Sequence, residues 1–463
     1  MNKVRLYFLL AGYFQFWAKI VLKRWKPLVI TIIGSAGKTT TLSLLKAILQ
    51  TKASVKVAHK ANAVTSIPLD ILGLKQQSFS LIEWLKLIFL APFKIWQVPR
   101  ETVYLCEMDS DRWGEMQAHT RLIEPDITCW VSAHPCHTEN FPGEDISTVI
   151  KQMLFDVGFA VERTRCFSLV NGEAKEIESE LKRVKAPISF VSLNANPEAA
   201  VNLVKHNINL SGTETVFSLN YNQLAKLKKK LPTTTPGLTQ NYPEKITLSF
   251  PLAILTKANM YGLGMALVLG YLFNIPYETI QNTLKTWRLP PGRMSLFAGK
   301  KATTIIDSSY NSSRVAASDA LTALRQLGGS KTIAVLGDMR ELGKVTQKEH
   351  EAVANAIIEN NIRRVILIGP QMEAFVWPIL MQNGYKENRT LFKTLDPQWA
   401  ADLLTSEDFL RHGETILVKG SQNTLFLEGI VEQLLVSKKD VAYLCRREKL
   451  WNKARQKIYS KLT

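Results

Sequence analysis

The sequence predicts an α/β protein: a P-loop-type central domain built on a mostly parallel sheet, followed by a second α/β domain. Three observations carry this. Short β-branched runs alternate with helical patterns along most of the 463 residues. The first run ends in a glycine-rich loop, GSAGKTTT at 34–41, which opens a helix. The stretch RLPPGRM at 288–294 stops a helix with two prolines and a glycine, and the alternation starts afresh beyond it.

In chain order, residues 1–27 read as an aromatic, basic, amphipathic helix. Lys3 and Arg5 ahead of an apolar run imitate an export signal, but no small-residue cleavage site follows. The run from Leu6 to Ala18 also falls short of the roughly 20 residues that span a bilayer. Such a helix packs on its own domain or lies on a membrane surface, and SLIEWLKLIFLAPFKIW at 80–96 has the same character. LVITII (28–33), TVYLCEM (102–108), DITCWVS (126–132) and CFSLV (166–170) are the central strands. Short strands and turns are expected between about 210 and 250, and then a long apolar helix at 258–273. Beyond the break, TTIIDSS (303–309), KTIAVLGD (331–338), RRVILIG (363–369) and ETILVKG (414–420) alternate with helices. Four strands with three helical crossovers make a Rossmann-like C-terminal domain. The expected division is an N-terminal segment 1–27, a central domain 28–289, a C-terminal domain 290–435 and a basic helical tail 436–463.

A net charge of +18 favours anionic partners without choosing among nucleotides, nucleotide sugars, acidic lipid and nucleic acid. The clusters KLKKK (226–230) and RREKLWNKARQKIYSK (446–461) read as solvated helix faces, and no nucleic-acid module accompanies them. Five scattered cysteines with no CxxC pair point to a reducing, cytoplasmic compartment. Cys129, His134, Cys136 and His137 match no structural zinc spacing.

In the loop, Gly34 and Gly37 let backbone N–H groups approach phosphate across Ser35, Ala36 and Thr40. Lys38 neutralises charge and the Thr39 hydroxyl can ligate Mg²⁺. The spacing is GxxGKTT, not the longer Walker pattern, because residue 32 is Ile. Glu107 ends a strand from which a carboxylate can reach a metal beside Thr39, and His137 follows another strand end. Lys151, in an otherwise apolar helix, would by itself be a surface lysine.

Together these segments resemble the Mur ligase superfamily of ATP-dependent amide-forming enzymes, and within it the branch that adds D-alanyl-D-alanine. GSAGKTT, EMDSDRWGEM, HTENFPG, DSSYNSS, and VLGDMRELG with LVKGS carry the resemblance from about residue 28 to 435, and PGRM marks the same domain junction. The resemblance implies that Lys38 and Thr39 bind the ATP phosphates and a first Mg²⁺, with Glu107 serving the metals and His137 holding a second ion. Lys151 would be carbamylated to give a further metal ligand, Asn259 would contact adenine, and Arg293 and Asp307 would reach the nucleotide across the junction. Asn62, Thr65 and Ser66 would face the acceptor; Tyr310, Asn311, Asp338, Glu341, Lys419 and Ser421 would line the place of the incoming amine.

The implied reaction is ADP-forming ligation through an acyl phosphate in peptidoglycan precursor synthesis, joining D-Ala-D-Ala to a muramoyl peptide in a monomeric enzyme. The alternatives are the same chemistry on a lipid-linked peptide or a poly-γ-glutamate-like polymer, or a non-catalytic nucleotide-binding scaffold held at the inner face of a membrane. Several positions depart from the family pattern. Only 27 residues stand where the family carries its uridine-nucleotide domain, and KANMYG puts Ala258 and Gly262 near the adenine position. Asp109, Met153, Arg314 and Ile33 replace a glycine, a glutamate, a proline and a threonine.

Overall fold

Residues 28–33 are apolar or β-branched without alternation, as a strand buried on both faces requires, and they form an interior strand of a nine-stranded sheet. The computed structural model describes residues 3–58, 63–77, 80–136, 138–232, 242–251, 253–421, 425–448, 451–452 and 454–456. Its strands are β1 (Leu28–Gly34), β2 (Val55–Val57), β3 (Val103–Glu107), β4 (Ile127–Ser132), β5 (Phe167–Asn171), β6 (Ile188–Ser192), β7 (Ala199–Asn209), β8 (Gly212–Leu219) and β9 (Lys245–Phe250), in the order β2-β3-β1-β4-β5-β6-β7-β8-β9. The ladders from β2 through β7 are parallel, and β8 and β9 close the sheet antiparallel.

A second sheet holds β10 (Ser295–Gly299), β11 (Thr303–Ser308), β12 (Thr332–Gly337), β13 (Arg364–Ile368), β14 (Leu391–Thr394) and β15 (Thr415–Lys419), ordered β10-β11-β15-β12-β13-β14 with only β10 antiparallel. The four strands expected here are its middle. The two it adds, SLFAG and LFKT, are edge strands too short to show a period. The described part of 210–250 likewise holds β8, a helix Tyr221–Lys228 and β9; β8 pairs with a long β7 that begins before the region, and β9 pairs with β8.

Helix α1 (Lys3–Trp25) buries Ala11, Phe14, Ala18, Val21 and Trp25 at helical spacing and packs against α3 (Ser66–Ile71). α2 (Lys38–Leu49) lies against the apolar helix Lys257–Leu272. A Cβ at Gly262 would stand 2.0 Å from Thr41 Oγ1, so close helix packing requires glycine there. α4 (Leu81–Leu90), α5 (Glu115–Leu122) and α6 (Ile146–Glu162) complete the elements around the site. Among the described residues no helix is long and apolar enough to cross a membrane.

Candidate nucleotide site between the two sheets

Three adjacent parallel strands bring their carboxyl ends together: β3 ends at Glu107, β1 at Gly34 and β4 at Ser132, with Ile32 beside Glu107 and Gly34 beside Ser132 in register. The loop after β1 needs its glycines. Gly34 has φ 135, and a Cβ there would lie 2.7 Å from the Ser132 carbonyl oxygen; Gly37 has φ 81 and opens α2. Ser132 pins the loop from β4, its Oγ accepting from the Ala36 N–H at 2.7 Å and donating to the Ala36 carbonyl at 2.8 Å. Ser35 Oγ in turn accepts from the His134 N–H at 2.9 Å.

Lys38 is buried and donates to the Gly34 carbonyl. Its ammonium stands 3.0 Å from Asp109 Oδ2. Burial opposes the charge on Lys38, but Asp109 and Glu107 outweigh it and hold the ammonium above the ordinary lysine range. The Thr39 hydroxyl donates toward both Glu107 oxygens, at 3.1 and 3.0 Å, and accepts from the Arg293 guanidinium at 2.9 Å. Burial raises the Glu107 pKa, partly offset by Lys38 and Arg293. Lys38, Thr39, Glu107, Asp109 and Arg293 thus form one polar, charged cluster, with the arginine supplied by the proline-rich break itself. Asp109, expected only as a departure from the pattern, is the direct partner of Lys38.

A cleft between the sheets is lined by Ser35, Ala36, Gly37, Thr40, Asn259, Arg293, Asn311, Glu341, Lys419 and Ser421, all sequence candidates. Asn259 Oδ1 is occupied by the backbone and hydroxyl of Thr256, which leaves its amide nitrogen for a ligand. Lys419 is buried at the end of β15 and donates to the Asn311 carbonyl at 2.9 Å; burial, with Arg293 beside it, pushes its pKa down to about 7. Ser421 Oγ accepts from the Arg340 N–H at 3.2 Å. Asp338 lines an adjoining groove with Glu341, accepting from the Met372 N–H at 2.8 Å, and burial raises its pKa. Glu341 has φ 60, a left-handed backbone that turns it between the two grooves. Tyr310 stands between two guanidiniums, Arg293 at 4.5 Å and Arg446 at 5.2 Å from its ring centroid.

Other placements differ from expectation. Lys151 is exposed on α6, whose N-cap is Asp145; Met153, Leu154 and Val157 of that helix face the loop instead. Lys151 stands about 200° around the helix from Met153, so it is not brought to the cluster. Asp307, in β11, is fully buried and accepts from the Ser309 N–H and hydroxyl, while Ser308 lines the cleft. Thr65 and Ser66 begin α3 beneath α1 and do not line the cleft. The basic tail is not simply a solvated face: Arg446 is buried against Glu428 at 2.7 Å. Asn62 and His137 lie outside the described residues. Sequence reasoning missed Asp319, which accepts from the Ala258 N–H at 3.2 Å and lines the cleft; only the juxtaposition of two helices makes it visible.

A phosphate loop at a sheet's carboxyl edge, a buried lysine-hydroxyl-carboxylate cluster and an arginine supplied from the proline-rich junction make the site of a nucleotide-dependent enzyme, and the chain is similar along most of its length to ADP-forming amide ligases of the Mur type. Residues 292–422 match the model of the Mur ligase, glutamate ligase domain. Over 420 residues the chain is 23% identical to the UDP-N-acetylmuramoyl-tripeptide–D-alanyl-D-alanine ligase of Buchnera aphidicola, covering 90% of this chain and 79% of that relative. It is 22% identical to the Bacillus subtilis protein of the same name, covering 91% and 78%. MurF ligase from Thermotoga maritima, solved in complex with ADP, superposes with a TM-score of 0.70 at 17% identity, over 91% of this chain and 83% of that one. Folylpolyglutamate synthase from the same organism gives 0.56 at 14% identity, over 95% of each chain.

Proposed function

We propose that the chain is an ADP-forming carboxylate-amine ligase that adds D-alanyl-D-alanine to a muramoyl peptide. The observation that carries the reading is the Lys38-Thr39-Glu107 cluster completed by Arg293 from the far side of the cleft. ATP phosphates would lie over residues 34–40 at the amino end of α2, where free N–H groups and the helix dipole favour anions. The Thr39 hydroxyl and the Glu107 and Asp109 carboxylates form an all-oxygen donor set that suits Mg²⁺, which when bound supplies positive charge to the transferring phosphoryl group. His137 would hold a second ion.

Lys38, released from Asp109, would neutralise the charge that builds as a substrate carboxylate takes the γ-phosphoryl group. Arg293 would hold the transferred group in line. The amine, seated near Asn311, Asp338, Glu341 and Ser421, then attacks the acyl phosphate, and phosphate leaves as the amide forms. Lys419 holds its proton only loosely at neutral pH and stands where the amine must lose one. Tyr310, clamped by two arginines, fixes the junction at Gly292 across which the domains 28–289 and 290–435 would close. Lys151 takes no part in this reading. The compartment we propose is the cytoplasm, with the chain a monomer and residues 1–27 and 80–96 in peripheral contact with a membrane.

The test is ADP release on mixing ATP, Mg²⁺, a muramoyl tripeptide and D-Ala-D-Ala; release no greater than that of Lys38→Ala refutes the reading. One observation favours a second acceptor, such as a lipid-linked peptide or an acidic polymer: the Tyr7 hydroxyl of α1 accepts from the Val64 N–H at 2.9 Å, immediately before Thr65 and Ser66. Mass spectrometry of products from a panel of acceptors separates the two.

A further inference from the structure

The outer faces of α1 and of residues 81–96 take no part in the ligation chemistry, and the membrane contact proposed for these segments can be given a surface and a lipid class. Leu9 and Phe16 lie on the side of α1 opposite its buried stripe and Leu6 lies on its flank, each more than half exposed. Alongside, α4 and the 3₁₀ turn Ala91–Trp96 expose Ile82, Leu85, Phe89, Phe93 and Trp96, with Ile82 at 79% and Trp96 at 74%. The two segments are neighbours. Tyr13 donates to the Ile88 carbonyl at 2.8 Å, Phe14 and Trp84 have ring centroids 6.2 Å apart, and Arg24 donates to the Ile95 carbonyl at 2.9 Å with its guanidinium over the Trp96 ring. The stripes therefore lie side by side, and their exposed apolar residues are grouped, not scattered singly.

Charge decides what covers it. Arg5, Lys19, Lys23, Arg24, Lys26 and Lys86 are exposed around these stripes. The first acidic residue of the chain is Asp70, and Glu83 is the only one between 81 and 96. Leucine, phenylalanine and tryptophan bordered by lysines whose stems can extend past them suit the boundary of an anionic bilayer. A protein-protein interface, by contrast, is depleted in lysine.

We infer that this surface docks flat on an anionic lipid bilayer, the apolar stripes entering the headgroup boundary and the basic residues meeting lipid phosphates. On its inner side, α1 sends Tyr7 to Glu115 at 3.0 Å and to the Val64 N–H. One helix therefore has the bilayer on one face and the Val64–Ser66 stretch on the other. Insofar as the acceptor role of Thr65 and Ser66 holds, the docked enzyme takes an acceptor whose anionic head lies at the bilayer surface; the docking itself does not depend on that role.

The experiment is co-sedimentation of the full chain with phosphatidylcholine vesicles, with and without phosphatidylglycerol. The expected result is pelleting with phosphatidylglycerol vesicles, weakened by salt, and little with phosphatidylcholine alone. Ile82→Glu/Phe89→Glu and Lys19→Glu/Lys23→Glu should each lose about tenfold or more in vesicle affinity. All four side chains are exposed, so ADP binding and the melting temperature stay as in the parent and report an intact fold. The inference is overturned if the parent stays in the supernatant with phosphatidylglycerol vesicles, or if both double variants pellet as well as it does. A lipid-free dimer that Ile82→Glu/Phe89→Glu converts to monomer would also overturn it, because a second copy would then be the occupant. Loss of ADP-forming activity with docking intact counts against the ligase reading alone.

Discussion

Asp109→Asn offers a direct measure of how the phosphate loop is held in the absence of nucleotide. The Lys38 ammonium stands 3.0 Å from Asp109 Oδ2, and the two side chains are only 9% and 11% exposed. At that separation, with an effective dielectric near 20, the gross attraction is roughly 5 kcal/mol. Nucleotide phosphates must win Lys38 from this carboxylate, so part of that attraction is lost from the binding free energy. If only about a quarter is lost, ~1.4 kcal/mol, ADP binds about tenfold more weakly than it would to an uncompensated lysine. The asparagine keeps the shape and removes the charge. Calorimetric titration with ADP in the presence of a chelator should therefore give about a tenfold lower Kd for the variant. The ADP-free variant should melt earlier, because Lys38 keeps only Glu107 as a counter-charge. Unchanged or weaker chelator-condition binding would refute the competition. A gain that vanishes when Mg²⁺ is added would identify Asp109 as a metal donor in the loaded enzyme.

Gly34→Ala should cost about 2 kcal/mol or more in urea unfolding, since the new Cβ would stand 2.7 Å from the Ser132 carbonyl at a φ of 135; an unchanged midpoint would show that the loop relaxes freely. Lys151→Ala should leave ligase turnover within about twofold, because the side chain is exposed away from the cluster. A large loss restored by a short carboxylate, standing in for a carbamate, would overturn that placement. His119 is buried and its ring nitrogens bond no partner among the described residues; burial pushes its pKa down from 6.5 to about 4. The folded state then binds fewer protons than the unfolded one between those values, so stability falls as pH drops through that window, by up to about 1.4 kcal/mol per pH unit. Unfolding of His119→Leu followed from pH 7 to pH 4 should show a flatter dependence, and a slope equal to the parent's would refute the assignment.

The phosphate loop, the strands flanking it and the four middle strands of the second sheet were legible because each is a local pattern. A glycine where φ is positive, a lysine opening a helix, and β-branched runs bounded by breakers are written within a few residues of one another. The edge strands β10 and β14 were not legible: at five and four residues they are made strands by their neighbours' unpaired backbone groups and not by any period of their own. Gly262, in sequence a departure from the family pattern near the adenine position, is the point where Thr41 of α2 approaches the helix Lys257–Leu272.

By itself the sequence pointed to an ATP-dependent ligase, because the motifs that hold Lys38, Thr39, Glu107 and Arg293 resemble those of such enzymes in kind and in order along the chain. Only the tertiary structure decided which groups share a field. It set Asp109 on Lys38, Arg293 on Thr39 and Asp319 on the Ala258 amide, turned Lys151 outward, and drew Arg446 from a basic tail under Tyr310. It also laid α1 beside α4 so that two amphipathic segments present one outer face. The physical reason is that motif chemistry is local, whereas pairing energies and exposure depend on distances between residues far apart in the chain, which no spacing along it specifies.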